Sequence, residues 1–182
     1  MIKVSKVYIF EWSGNFMKTL TSYGMSKVEI YTDGSAKGNP GPGGYGIVMR
    51  FGGKEKELSC GFRMTTNNRM ELLAVITALE QLKTNTYPVE VYSDSKYVID
   101  AITKRWVFGW RQKSFKGKKN ADLWMRYLSI HDKFNITFHW VRGHNGHPEN
   151  ERCDVLAVKA AENGPHLIDE QFESNREQET LL

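Results

Sequence analysis

Two segments of this chain are near copies of each other, Val28-Glu29-Ile30-Tyr31-Thr32-Asp33 and Val89-Glu90-Val91-Tyr92-Ser93-Asp94. Both alternate apolar and polar residues in the manner of β-strands, and both end on an aspartate followed by turn or helix-start residues. If the two strands are parallel neighbours, their backbones lie about 4.8 Å apart and the carboxylates of Asp33 and Asp94 meet at one sheet edge. Like charges so close repel, and a divalent cation between them relieves the repulsion. Two further acids point the same way. Glu71, at the start of a predicted helix, shares a side with Val75, Ala78 and Leu82, and Asp154 shares one with Ala157, Val158 and Ala161. An acid on a buried side is costly without a partner. Taken singly, each is as well read as a solvated charge, and Glu71 also as a first-turn glutamate favoured by the helix dipole. Together the four suggest an oxygen-only metal site, which selects Mg²⁺ or Mn²⁺ over zinc and commonly serves phosphate chemistry.

The loop Arg142-Gly143-His144-Asn145-Gly146-His147-Pro148 lies between a predicted strand and the last predicted helix. From there His144 could carry a proton near neutral pH, although a simply exposed loop histidine is the plainer alternative. Residues 104–119 hold Lys104, Arg105, Arg111, Lys113, Lys116, Lys118 and Lys119 with no acid among them, interleaved with Trp106, Phe108, Trp110 and Phe115. Cations that neutralise phosphates beside flat rings that pack on sugars or bases suit a nucleic-acid surface. The alternative is a solvated loop whose tryptophans belong to the core. We expect some of each, with Trp106 or Trp110 partly structural and the lysines mainly on the ligand.

The elements that must position these groups follow from periodicity. A Gly/Pro loop at 38–44 leads into a strand near 45–51. Gly52-Gly53 turns the chain into a return strand at about 55–62, with Leu58, Cys60 and Phe62 on one face. Thr65-Thr66-Asn67-Asn68 supplies N-cap residues for a helix over about 68–83, carrying Leu72, Leu73, Val75, Ile76, Leu79 and Leu82 at helical spacing. Further helices are expected at 95–103, 120–134 and 149–163, with a last strand alternating Ile136, Phe138 and Trp140. A helical crossover makes the two Asp-ending strands parallel, so the expectation is an α/β fold with a five-stranded mixed sheet flanked by helices. Residues 1–25, where strand-like Val7-Tyr8-Ile9-Phe10 is broken by Ser13-Gly14-Asn15, are placed outside the domain as an extension. Residues 163–182 are expected to be a mobile acidic tail.

The chain has 182 residues, enough for one such domain, and a formal charge of +4. Residues 163–182 carry a net −4, which leaves +8 on the rest and points to a polyanionic partner, nucleic acid first. Cys60 and Cys153 lack any metal or disulfide pattern and read as reduced core thiols. Without an apolar run of about 18 residues or a signal-like start, a membrane location is not expected and the cytoplasm is.

These motifs, in order, resemble the type 1 ribonucleases H of the bacterial kind: Thr32-Asp33-Gly34-Ser35 with the Gly/Asn/Pro loop, Thr65-Thr66-Asn67-Asn68-Arg69-Met70-Glu71-Leu72, Ser93-Asp94-Ser95-Lys96-Tyr97-Val98, the Trp-containing basic segment, and Val141-Arg142-Gly143-His144 with Asn150-Glu151-Arg152-Cys153-Asp154. The match spans residues 26–162, the expected catalytic domain. The resemblance implies a ribonuclease H-like fold and a monomeric endonuclease that cuts the RNA strand of RNA/DNA hybrids with two Mg²⁺ ions, Mn²⁺ substituting, to leave 5′-phosphate and 3′-hydroxyl ends. It implies Asp33, Glu71, Asp94 and Asp154 as metal ligands and His144 as an aid to proton transfer or product departure. Asn39, Asn67 and Asn68 would contact the minor groove and Thr66 a DNA phosphate, while Trp106, Trp110, Arg111, Lys113, Lys116, Lys118 and Lys119 would form a protruding substrate handle. The stretch between Trp110 and Asn120 is short for the bacterial handle, and residues 1–25 do not resemble the separate hybrid-binding domain of eukaryotic forms. Two other readings are a nucleic-acid-binding module with a vestigial site and a transposase- or resolvase-like phosphotransferase on the same fold.

Overall fold

The structure, a computed structural model, describes residues 26–180 apart from His144, and leaves out the side chains of 177–180. Six strands form one sheet: β1 (Val28–Ala36), β2 (Gly41–Phe51), β3 (Lys54–Thr65), β4 (Val89–Ser93), β5 (Ile136–Trp140) and β6 (His166–Leu167). Their order is β5-β4-β1-β2-β3-β6. The helices are α1 (Asn67–Glu80), α2 (Lys96–Thr103), α3 (Trp106–Gln112), α4 (Ala121–His131), α5 (Pro148–Asn163) and α6 (Glu170–Thr180). As expected, β1 and β4 are parallel neighbours and β2 and β3 form an antiparallel hairpin closed at Gly52-Gly53.

Period-two alternation divides the sheet residues between its two faces. Ile30, Ile47 and Val91 enter one continuous core with Leu72, Val75, Ile76 and Leu79 of α1 and with Trp124 and Tyr127 of α4. The opposite face takes α5, and glycine makes that contact possible. A Cβ on Gly46 would stand 2.1 Å from the Cys153 carbonyl oxygen, and one on Gly61 2.2 Å from that of Ala160. Side chains there would push α5, with Asp154, off the sheet.

Several expectations need correction. The sheet has six strands rather than five, because His166 and Leu167 add a short parallel strand to β3 that two residues cannot announce by periodicity. The aromatic segment contains α3, hidden by Gly109 and a run of bulky rings. The last-but-one long helix stops at His131 rather than 134. The acidic tail, expected to be mobile, is built into the fold: β6 and α6 follow α5, and Asp169 is buried in ion pairs with Arg69. An element without an apolar stripe, held by two or three charged contacts, leaves no pattern in the sequence. The expectations for Val7-Tyr8-Ile9-Phe10 and for the rest of 1–25 lie outside the described residues. Both cysteines are free thiols, Cys153 buried and Cys60 half-buried. Among the described residues no helix is long and apolar enough to cross a membrane.

Candidate active site

The register of β1 on β4 pairs Thr32 with Ser93, so Asp33 and Asp94 each follow at the same sheet edge. Gly34 then brings α1 onto that edge, since a Cβ there would lie 2.3 Å from the Glu71 amide nitrogen. The helix therefore meets the strand end backbone to backbone, beside Asp33. On the other side Asp33 pairs with Gly46, over which α5 lies at Cys153, one residue before Asp154. Four separate elements thus deliver Asp33, Glu71, Asp94 and Asp154 to one place.

Electrostatics makes Asp33 the hub. The residue is only 8% exposed, and burial above all, then the charges of Asp94, Asp154 and Glu71, push its carboxyl up to about 8 against a single helpful bond from the Gly34 amide at 2.7 Å. Glu71 is likewise raised, by burial first, with Ser95 and Asn67 opposing. Its two oxygens accept from the Ser95 hydroxyl at 2.5 Å and the Asn67 amide at 2.8 Å, which fixes the plane of the carboxylate. Ser95 also caps α2 by accepting from the Val98 amide, so one hydroxyl anchors a helix and an acid. Asn150, buried on α5, stands 3.5 Å from Asp94 through its amide nitrogen, and its carbonyl oxygen has no hydrogen-bond partner among the described residues. Neither Ser95 nor Asn150 was singled out as a site residue by sequence reasoning. The first could have been recognised as the N-cap of α2; the second carries no periodic signal.

The donor set fits a hard divalent cation: four carboxylates, an orphaned amide oxygen next to Asp94, and no ionised sulfur, since burial raises the Cys153 thiol far above its ordinary range. Among the described residues no three His, Cys, Asp or Glu side chains already close on a single point. The acids stand as neighbours, not as a finished cage.

His144 lies outside the described residues. Its chain neighbour Gly143 lies against the site, for a Cβ there would be 2.5 Å from the Asp94 carboxylate. Asn67 is at the site through its bond to Glu71, with Thr66 at the helix start and Asn68 exposed beside it. Asn39 is exposed in the loop joining β1 to β2, which a bond from the Lys37 amide to the Pro42 carbonyl closes at the same end of β1. In the basic segment Trp110 packs edge-on to buried Trp124 at 5.8 Å, whereas Trp106 is 47% exposed, so of the two tryptophans Trp110 is the structural one. Arg111, Lys113, Lys116, Lys118 and Lys119 all face solvent, with Lys118 5.0 Å from the Trp110 ring centre.

A sequence model of RNase H matches residues 25–162. The chain belongs to the ribonuclease H family. It is 53% identical over 150 residues to a ribonuclease H of Desulforamulus reducens, covering 80% of this chain and 94% of that one. It is 55% identical over 138 residues to one of Nitratidesulfovibrio vulgaris, covering 73% and 88%. Among solved structures, LC9-RNase H1, described as a type 1 enzyme with the type 2 active-site motif, superposes with a TM-score of 0.67 at 33% identity, covering 78% of this chain and 74% of that one. LC11-RNase H1, solved in complex with an RNA/DNA hybrid, gives 0.58 at 30% identity, covering 74% and 96%. Degrading the RNA strand of RNA/DNA hybrids endonucleolytically is the activity of that family, and this type 1 member is an enzyme of that class, with the family's dependence on divalent metal.

Proposed function

We propose that the protein hydrolyses the RNA strand of RNA/DNA hybrids with Asp33, Glu71, Asp94 and Asp154 holding two Mg²⁺ ions, leaving 5′-phosphate and 3′-hydroxyl ends. The observation that carries this reading is a buried aspartate where the parallel pairing of β1 with β4 stops, repelled by three other carboxylates from other parts of the chain. A divalent cation among the acids relieves that repulsion, and a carboxyl so perturbed by burial and its neighbours is the mark of a functional site. When bound, two such ions supply an activated water and neutralise the charge on the departing 3′ oxygen.

The chain's own groups do the rest. Asp33, at the centre, gives up its residual proton to become a ligand. Ser95 and Asn67 hold the Glu71 carboxylate in one orientation, and Asn150 steadies Asp94 from α5. Asn67, tied to Glu71, links the acids to the minor-groove contacts expected of Asn39 and Asn68, where a 2′-hydroxyl distinguishes RNA from DNA. Thr66 contacts a DNA phosphate at the head of α1. His144, on the loop whose Gly143 touches Asp94, moves a proton or helps the product leave. The exposed lysines with Trp106 grip the backbone. On this reading the enzyme works as a monomer in the cytoplasm and accepts Mn²⁺ in place of Mg²⁺.

A substrate panel tests the assignment. With Mg²⁺, hybrid should be cut and duplex RNA and duplex DNA left whole, and EDTA should stop the reaction. Equal cutting of duplex DNA would mark a different phosphotransferase, and hybrid binding without any cutting a vestigial site. The handle has its own test. Replacing Lys116, Lys118 and Lys119 by alanine should weaken hybrid binding and flatten the log Kd against log salt plot by about one unit for every phosphate that is no longer neutralised. An unchanged slope in fluorescence anisotropy titrations would take these lysines off the phosphates.

A further inference from the structure

The first turn of α1 begins at Asn67, which bonds Glu71 just beyond it, yet no side-chain cap secures the turn. Thr66 at the N-cap makes no side-chain bond to the turn, and the turn has no acidic residue to meet the helix dipole. What holds it is Arg69, a residue 3% exposed whose guanidinium is gripped on two sides. Asp122, at the start of α4, accepts from the two terminal nitrogens at 2.9 and 2.6 Å. Asp169, ahead of α6, accepts from Nε and a terminal nitrogen at 2.5 and 2.8 Å, and the Phe172 ring lies 5.6 Å away. Asp169 is itself only 8% exposed and receives the Phe172 amide, so the segment that supplies it is ordered around the same contact. Every atom of this second grip lies beyond residue 162, where the match to the family ends.

We infer that Asp169 is a positioning residue: the carboxy-terminal segment clamps Arg69 and thereby holds Glu71 and Asn67 at the strand end where the metal site forms. One residue of helix, Met70, separates Arg69 from Glu71, and the Glu71 amide is the atom that meets Gly34, so slack at Arg69 passes directly to the acid. Losing Asp169 leaves the guanidinium with one carboxylate in a buried place, and the turn can relieve that only by moving. The same guanidinium lies 3.4 Å from Asn120, which follows Lys118 and Lys119, but Asp122 retains that side of the grip. The effect therefore falls on the acids more than on the handle.

This inference rests on Glu71 being a metal ligand, and the experiment separates the two. Calorimetric titration of the full chain with Mg²⁺ should show binding, and Asp169→Asn should weaken it about tenfold, as expected of a partner that orients a ligand. In hybrid cleavage well below the melting temperature, Asp169→Asn should lower kcat about tenfold while changing KM less than about twofold. Asp169→Glu, which keeps the charge, should recover part of both losses. Ile130→Val, at the far end of α4, should lower the melting temperature and leave kcat and Mg²⁺ binding as they were. If Asp169→Asn does not fold, Phe172→Ala, which removes only the ring beside the guanidinium, carries the same comparison with smaller changes. A fall in melting temperature with unaltered kcat and Mg²⁺ binding in these variants overturns the positioning role. Absence of Mg²⁺ binding in the unmodified chain overturns the metal site instead.

Discussion

Asp94→Asn should slow hybrid cleavage by on the order of 10³-fold, comparable to losing a principal transition-state-stabilising group, while hybrid affinity stays within a few-fold of the original. Asparagine has nearly the same shape, so β4 keeps its register on β1 and the contacts of Gly143 and the Asn150 amide are not displaced by bulk. What disappears is a full negative charge facing Asp33 and Glu71, both of which feel it. Binding is carried by other groups, the exposed lysines and the asparagines at the head of α1, which the substitution does not touch. Single-turnover rates alongside anisotropy titrations make the measurement. Full activity in Asp94→Asn would remove this residue from the site and with it the case for paired strand-end carboxylates.

The second large effect concerns stability without metal. The folded-state carboxyl of Asp33 is raised to about 8, whereas in the unfolded chain it titrates near the ordinary value for aspartate, about 3.9. Below that value both states carry the proton and Asp33 costs nothing. Between about 4 and 8 the unfolded chain gives up its proton while the folded one keeps it, so the unfolded state binds fewer protons and stability falls as pH rises. Above about 8 the penalty is complete, amounting to a few kcal/mol at roughly 1.4 kcal/mol for each pH unit of difference. Urea unfolding in EDTA should show this decline, and Asp33→Asn should remove the larger part of it, the raised Glu71 carboxyl keeping the rest, giving a metal-free protein more stable than the parent at pH 8 and without hybrid cleavage. Mg²⁺ should stabilise the parent at pH 8 and do much less for the variant. If Asp33→Asn is no more stable than the parent at pH 8 in EDTA, the Asp33 carboxyl does not carry the strain assigned to it.

Much of this was legible before any fold was known. The repeated strand with its terminal aspartate announces a parallel pair, because a helical crossover between two strands leaves few other arrangements. The inward sides of Glu71 and Asp154 follow from spacings of three and four residues to small and apolar neighbours, a local property of helices. Such patterns are short-range and repeat with the period of the element, which is why sequence carries them. Ser95 escaped because its role as a helix cap masks its bond to Glu71, and Asn150 because one polar residue on a helix has no period. The docking of α6 escaped for a stronger reason: Arg69, Asp122 and Asp169 are far apart in the chain, and nothing in any one segment requires the others.

Taken alone, the sequence determined most of the elements between β1 and α5, the parallel strand pair, the four candidate acids, the basic segment and the family they resemble, because each is written in residue type and local spacing. Only the tertiary structure decided that glycines at 34 and 46 let two helices sit close enough to crowd Asp33, that Trp110 is structural and Trp106 is not, and that the acidic end of the chain returns to grip Arg69. Those outcomes depend on which distant surfaces can approach without clash and on charge pairing in a buried place, and neither is a property of neighbours along the chain.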